Sequence, residues 1–90
     1  MKLLHLKQTP SSSKKKYIAV FDDGKTIAFG SKGSFTYADG ADKKVQENYL
    51  ARHRVNEDWS KVNAGSLSRW VLWSSKSIQE GIKNFNKNIK

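Results

Sequence analysis

Cysteine is absent from this chain of 90 residues, and its absence excludes a good deal. No disulfide framework can staple the fold and no cysteine-based zinc site can nucleate it. Histidine is scarce too, with only His5 and His53, so no structural metal is expected and nothing in the pattern asks for a cofactor. No run approaches the roughly 20 apolar residues that cross a bilayer. The apolar part of MKLLHLKQTP is also too short for a secretory signal. The expectation is a protein without a membrane span, intracellular or part of a larger particle, and not secreted.

Acidic residues are few: eight Asp and Glu stand against 17 Lys and Arg, a formal charge of +9. A chain this small and this basic is drawn to polyanions, nucleic acid first and anionic membrane surfaces next. Surplus lysine also serves plain solubility. The charge is unevenly placed: residues 1–16 carry +5, residues 17–42 carry −2 and residues 43–90 carry +6.

With 37% hydrophobic residues only one thin core is possible, and the three Trp, three Tyr and four Phe must fill much of it. Residues 1–15, with the serine run and the first lysines of SSSKKK, read as a flexible basic N-terminal arm, with a single domain over 16–90. Leu3, Leu4 and Leu6 give that arm the alternative of an edge strand. YIAVF and TIAFG flank Asp22–Lys25, which predicts a hairpin with Asp23-Gly24 in a two-residue type I′ turn. That register sets Val20 against Ile27 and Ile18 against Phe29, an apolar face of four. Phe35-Thr36-Tyr37 is the candidate third strand.

Asp42 is the expected cap of a helix over 43–55, on which Val45, Tyr49 and His53 share a stripe. LSRWVLW, residues 67–73, is apolar nearly all round, with Ser66 as its candidate N-cap. Ser77 and Glu80 form an S-x-x-E box ahead of Ile78, Ile82, Phe85 and Ile89, the clean face of a last helix. Gly81 there predicts close packing against Trp70 or Trp73. The fold class is α+β: a small antiparallel hairpin or three-strand sheet packed by two or three helices.

For chemistry, His53 with Arg52, Arg54 and Glu57 is a minimal kit for phosphodiester cleavage. Its place on the apolar stripe favours a packed, hydrogen-bonded histidine, so no catalytic residue is assigned. Gly30–Gly33 resembles a G-x-x-G clamp, but an ordinary turn explains it better. Tyr17, Phe21 and Phe29 could stack bases, although the core needs them. Arg69, inside an apolar element, is expected to pair with Glu57 or Asp58. The candidate nucleic-acid-binding residues are Lys14, Lys15, Lys16, Lys32, Lys43, Lys44 and Arg54.

Phe29-Gly30, Gly33, Tyr49-Leu50, Arg52-His53, Glu57, Trp59, Ala64-Gly65 and Leu67 to Trp73 make a spaced pattern over about residues 16–89. It resembles a family of small proteins of large nucleocytoplasmic double-stranded DNA viruses. The resemblance implies a viral origin and an α+β fold, and no particular activity. The leading expectation is a non-enzymatic, phosphate-directed, sequence-insensitive nucleic-acid-binding protein with double-stranded DNA as partner. A minor structural protein partnered by other viral structural proteins is the second, and a nuclease the third.

Overall fold

The computed structural model describes residues 2–89. Strands β1 (Leu3–Gln8), β2 (Tyr17–Phe21) and β3 (Thr26–Phe29) form an antiparallel sheet in the order β1-β2-β3. A 3-10 turn (Tyr37–Asp39) leads to helix α1 (Lys43–His53), then a short helix α2 (Ala64–Leu67). A π-helical segment (Ser68–Leu72) runs on directly, and helix α3 (Ile78–Asn88) closes the described chain. The fold is the small α+β class expected, with three strands and three α-helices among the described residues.

The third strand is N-terminal. Residues 3–8, assigned above to an arm, pair with the whole of β2, and Leu3 is 1% exposed. The reason lies in one inserted residue. The pairing slips between Leu3 and His5, so Leu4 bulges out at 50% exposure while Leu3 and Leu6 turn to the same face. Phe35-Thr36-Tyr37 is correspondingly not a strand: Thr36 caps the 3-10 turn, with its backbone and side chain tied to Asp39.

The hairpin register is one residue away from the expected one. Ala19 faces Ile27 and Tyr17 faces Phe29, closed by a bond from Phe21 N–H to Lys25 O of 3.0 Å. A two-residue type I′ turn would need positive φ at Asp23, and no non-glycine residue described has it. Asp22–Gly24 forms a three-residue loop instead, with Gly24 N–H bonded to Phe21 O and only Gly24, at φ 88°, left-handed. The slip changes the faces. Ala19, Phe21 and Phe29 are buried with Leu3, while Ile18 and Val20 lie on the other side. Phe21 and Phe29 are therefore core residues and not stacking platforms.

Leu67, Val71, Leu72, Trp73, Phe85 and Ile89 complete the core from the helical side. The turn into α2 is capped by Asn63, not Ser66. Asn63 Oδ1 accepts from Ser66 N–H at 2.8 Å, and Ser66 Oγ accepts from Asn63 N–H at 3.1 Å. Ser77 caps α3 by accepting from Glu80 N–H. Gly81 meets the backbone of Val71, not a tryptophan ring: a Cβ at 81 would stand 2.3 Å from Val71 O. α3 thus lies directly on the π-helical turn. α1 buries none of its residues fully. Gln46 Nε2 donates to Trp73 O at 2.7 Å, and the Tyr49 ring stacks on Trp73 at 4.2 Å and 7°. Among the described residues no helix is long and apolar enough to cross a membrane.

Candidate functional site

Two loops at one end of the sheet are tied together. Residues 9–16 join β1 to β2, and residues 30–34 follow β3. Lys32 N–H donates to Lys14 O at 2.9 Å, Lys32 Nζ to Pro10 O at 2.6 Å, and Lys16 N–H to Phe29 O at 3.1 Å. Within the first loop, Thr9 Oγ1 donates to Lys15 O and the Ser13 hydroxyl accepts from Lys15 N–H. Gly30, at φ 78°, lets the chain leave the sheet where a Cβ would press on Lys16 and Leu72. The lysine triplet is therefore part of a hydrogen-bonded loop, and Lys14, Lys15 and Lys32 stand exposed around it.

Lys16 is the exception within the triplet. Its ammonium is half-buried, donates to Ser34 O at 2.6 Å and pairs with Asp39. Burial pushes the Asp39 carboxyl up, but Lys16 and the two Thr36 donors outweigh it and hold it below the ordinary carboxylate range. Lys16 thus fastens the loop to the 3-10 turn.

Between these loops and α1 lies a cleft of about 480 Å³. The loops contribute Lys15 and Ser34, Phe35 follows the second of them, and α1 contributes Val45, Arg52 and His53. Phe35 and Val45 are 64% and 45% exposed, two of the four large apolar side chains so exposed among the described residues. Lys43, Lys44 and Arg54 are exposed on or beside α1 but do not line the cleft. Arg52, not Arg54, is the arginine that does. Its signal was in the sequence: Arg52 follows Tyr49 by three positions and so shares that helix face.

The cleft wall beyond α1 is built on Glu57. One carboxylate oxygen meets His53 Nδ1 at 2.7 Å, and the other accepts from Trp59 Nε1 at 2.8 Å. A Cβ on Gly65 would come within 3.1 Å of Glu57 Oε1, so the glycine makes room for this carboxylate. With Nδ1 held by Glu57, a neutral His53 keeps its free lone pair on Nε2. The imidazole stacks on Tyr49 at 4.1 Å, which itself stacks on Trp73. Burial, reinforced by the Glu57 charge, pushes the Tyr49 phenol up to about 12, against the pull of Ser68 and of Arg69 and Arg52. Among the described residues no three or more His, Asp or Glu side chains converge as a metal site.

Arg69 departs from expectation. It makes no carboxylate pair; the lysine–carboxylate pairs among the described residues are Lys16–Asp39 and Lys61–Asp58, and Glu57 is bonded to His53. Its guanidinium lies 4.0 Å from the Trp70 ring centroid and 5.1 Å from that of Trp59, with Nε and Nη1 buried and unpartnered. Glu57 turns its two oxygens to His53 and Trp59, and the tryptophan faces hold the Arg69 cation instead. Burial lowers its pKa from the ordinary value.

These features define a small α+β domain with a basic, aromatic-lined cleft between two sheet-end loops and a loosely packed helix. The chain belongs to a family of unknown function (DUF5754), which it matches over residues 5–53. That segment carries the sheet from His5 onward, Lys15, Phe35, Arg52 and His53; Glu57, Gly65 and Trp73 lie beyond it. No curated protein and no solved structure matches the chain.

Proposed function

We propose that this protein binds nucleic acid through its phosphates and without regard to base sequence. One observation carries the reading: Lys14, Lys15 and Lys32 are held exposed on two cross-bonded loops, with Lys15 and Arg52 lining one cleft. Cations on ordered loops lose less side-chain and backbone freedom on meeting a phosphate than cations on a disordered arm. Lys43 and Lys44 add to it. They open α1, whose first turn has no acid, although the helix dipole disfavours cations there. A bound polyanion would relieve that local repulsion.

The partner in this reading is double-stranded DNA. By the sequence resemblance it would be a viral genome, met in the infected cell or the virion. A viral structural partner is the second reading, favoured by Leu4, half exposed on the edge strand β1. Titration of the intact protein with random-sequence duplex at several salt concentrations separates them. Log K that falls linearly with log salt supports phosphate binding, and an affinity indifferent to salt refutes it.

A further inference from the structure

The geometry points to the cleft as a seat for a single nucleotide unit, a nucleobase carrying a phosphate, taken from a strand end or an unpaired position. The inference rests on the phosphate-directed reading of Lys15 and names what that surface would hold beside it.

Three features converge on this ligand class. The cleft, at about 480 Å³, lies in the range of roughly 300–1,000 Å³ usual for small-molecule sites. Its two cations, Lys15 and Arg52, come from opposite elements, a loop and α1, and neither takes part in the ion pairs named above. Its apolar surface is exposed without cover: Phe35 and Val45 both line it. An exposed phenylalanine near two such cations suits a planar ring with an anionic group, which an aliphatic or purely inorganic anion would not use.

The remaining wall is rigid. Glu57 commits both oxygens to His53 and Trp59, and its negative charge keeps an incoming phosphate to the Lys15 and Arg52 side of the cleft. Tyr49 is locked between His53 and Trp73. In its neutral form, with Nδ1–H bonded to Glu57, His53 presents Nε2 as an acceptor suited to an exocyclic amine or ring N–H of a base. A duplex does not present an unstacked base, so the cleft adds affinity only for strand ends, gaps and single strands, or for a free mononucleotide.

The test uses the intact protein. Isothermal titration with adenosine monophosphate, ribose 5-phosphate and a short single-stranded oligonucleotide is compared with blunt duplex. The expected result is saturable binding of the mononucleotide and oligonucleotide, with ribose 5-phosphate weaker. Phe35→Ala should weaken mononucleotide binding roughly 5- to 150-fold, the range of one base–aromatic stack. Arg52→Gln should weaken mononucleotide and ribose 5-phosphate alike. Both positions are exposed, and Lys83→Gln on α3 is the control. Tight mononucleotide with weak oligonucleotide binding identifies a free nucleotide as the ligand; the reverse identifies a strand end. No saturable mononucleotide or oligonucleotide binding, alongside salt-dependent duplex binding, overturns the cleft and spares the surface reading. Equal affinity for adenosine monophosphate and ribose 5-phosphate, or an unaffected Phe35→Ala, also overturns it. Binding of none of these ligands sinks both.

Discussion

The side-chain amide of Asn86 closes both backbone groups of Leu3: Leu3 N–H donates to Asn86 Oδ1 and Asn86 Nδ2 donates to Leu3 O, each at 2.9 Å. α3 thereby supplies the edge strand with the partner that a fourth strand would have given. Asp22 repeats the device one residue earlier, accepting from and donating to the backbone of Lys2. The first strand is fastened at its far end by residues remote in sequence. Removing residues 2–8 should therefore abolish cooperative unfolding, and Leu3→Ala should lower stability by about 2–5 kcal/mol. Asn86→Ala should lower it by about 1–3 kcal/mol by stranding part-buried backbone groups. Urea denaturation followed by tryptophan fluorescence measures all three.

Gly81→Ala sets helix propensity against steric crowding. Alanine favours the helix by roughly 1 kcal/mol, yet its Cβ would stand 2.3 Å from Val71 O and 2.8 Å from Val71 Cα. These are backbone atoms, which cannot swing aside as a side chain would. The crowding should win, with a net destabilisation of about 1–3 kcal/mol. A midpoint unchanged or raised in urea would mean that α3 does not rest on the π-helical turn.

Arg69 gives a prediction of opposite sign. Two of its nitrogens are buried without partners, and no carboxylate faces it. Arg69→Met keeps the apolar stem between Trp59 and Trp70 and removes the stranded donors. Stability should hold or rise. Arg69→Lys should lower it, because an ammonium cannot lie flat on either ring. Thermal melts of the two variants side by side decide the order.

Tyr49 makes stability depend on alkaline pH. Its phenol titrates near 10 when unfolded and near 12 when folded. Between those values the unfolded chain has released a proton that the folded chain still holds. The contribution is complete below about pH 10 and is lost progressively as pH rises toward 12. Phenolate absorbance should show one tyrosine titrating late. Tyr49→Phe should flatten the difference in stability between pH 9 and pH 11 relative to the parent.

The sequence makes α3 legible because one amphipathic face, a serine cap and a glycine coincide there. α1 is legible too, though of its Val45–Tyr49–His53 stripe only Tyr49 packs on the core, and all three line a cleft. Period alone cannot tell those two surroundings apart. The sheet is half legible. Asp-Gly announces the hairpin, but the choice between a two- and a three-residue loop turns on the positive φ that Asp23 would have needed, and that choice sets the register. Leu3 and Leu6 are three apart, which looks like neither strand nor arm until the Leu4 bulge is seen. Arg69 misleads because both expected partners are turned elsewhere, Glu57 to His53 and Trp59 and Asp58 to Ser60 and Lys61. Lys16 stands in the same run as Lys14 and Lys15. Only the fold shows that it is turned to Asp39 while its neighbours stay in solvent.

The central claim is that the ordered loop lysines, and not net charge alone, carry binding to phosphates. The most direct measurement is the salt dependence of duplex affinity for two triple variants with the same change in charge. One replaces Lys14, Lys15 and Lys32 by glutamine, and the other replaces Lys25, Lys83 and Lys87. Each lysine that ceases to neutralise a phosphate lowers the slope of log K against log salt by about 0.9 for duplex DNA. On that scale the slope for the loop variant should fall by about 2–3 units, while the second variant keeps close to the parent slope. Equal slopes for the two variants would contradict the account, because the interaction would then follow total charge and owe nothing to where the loops hold it.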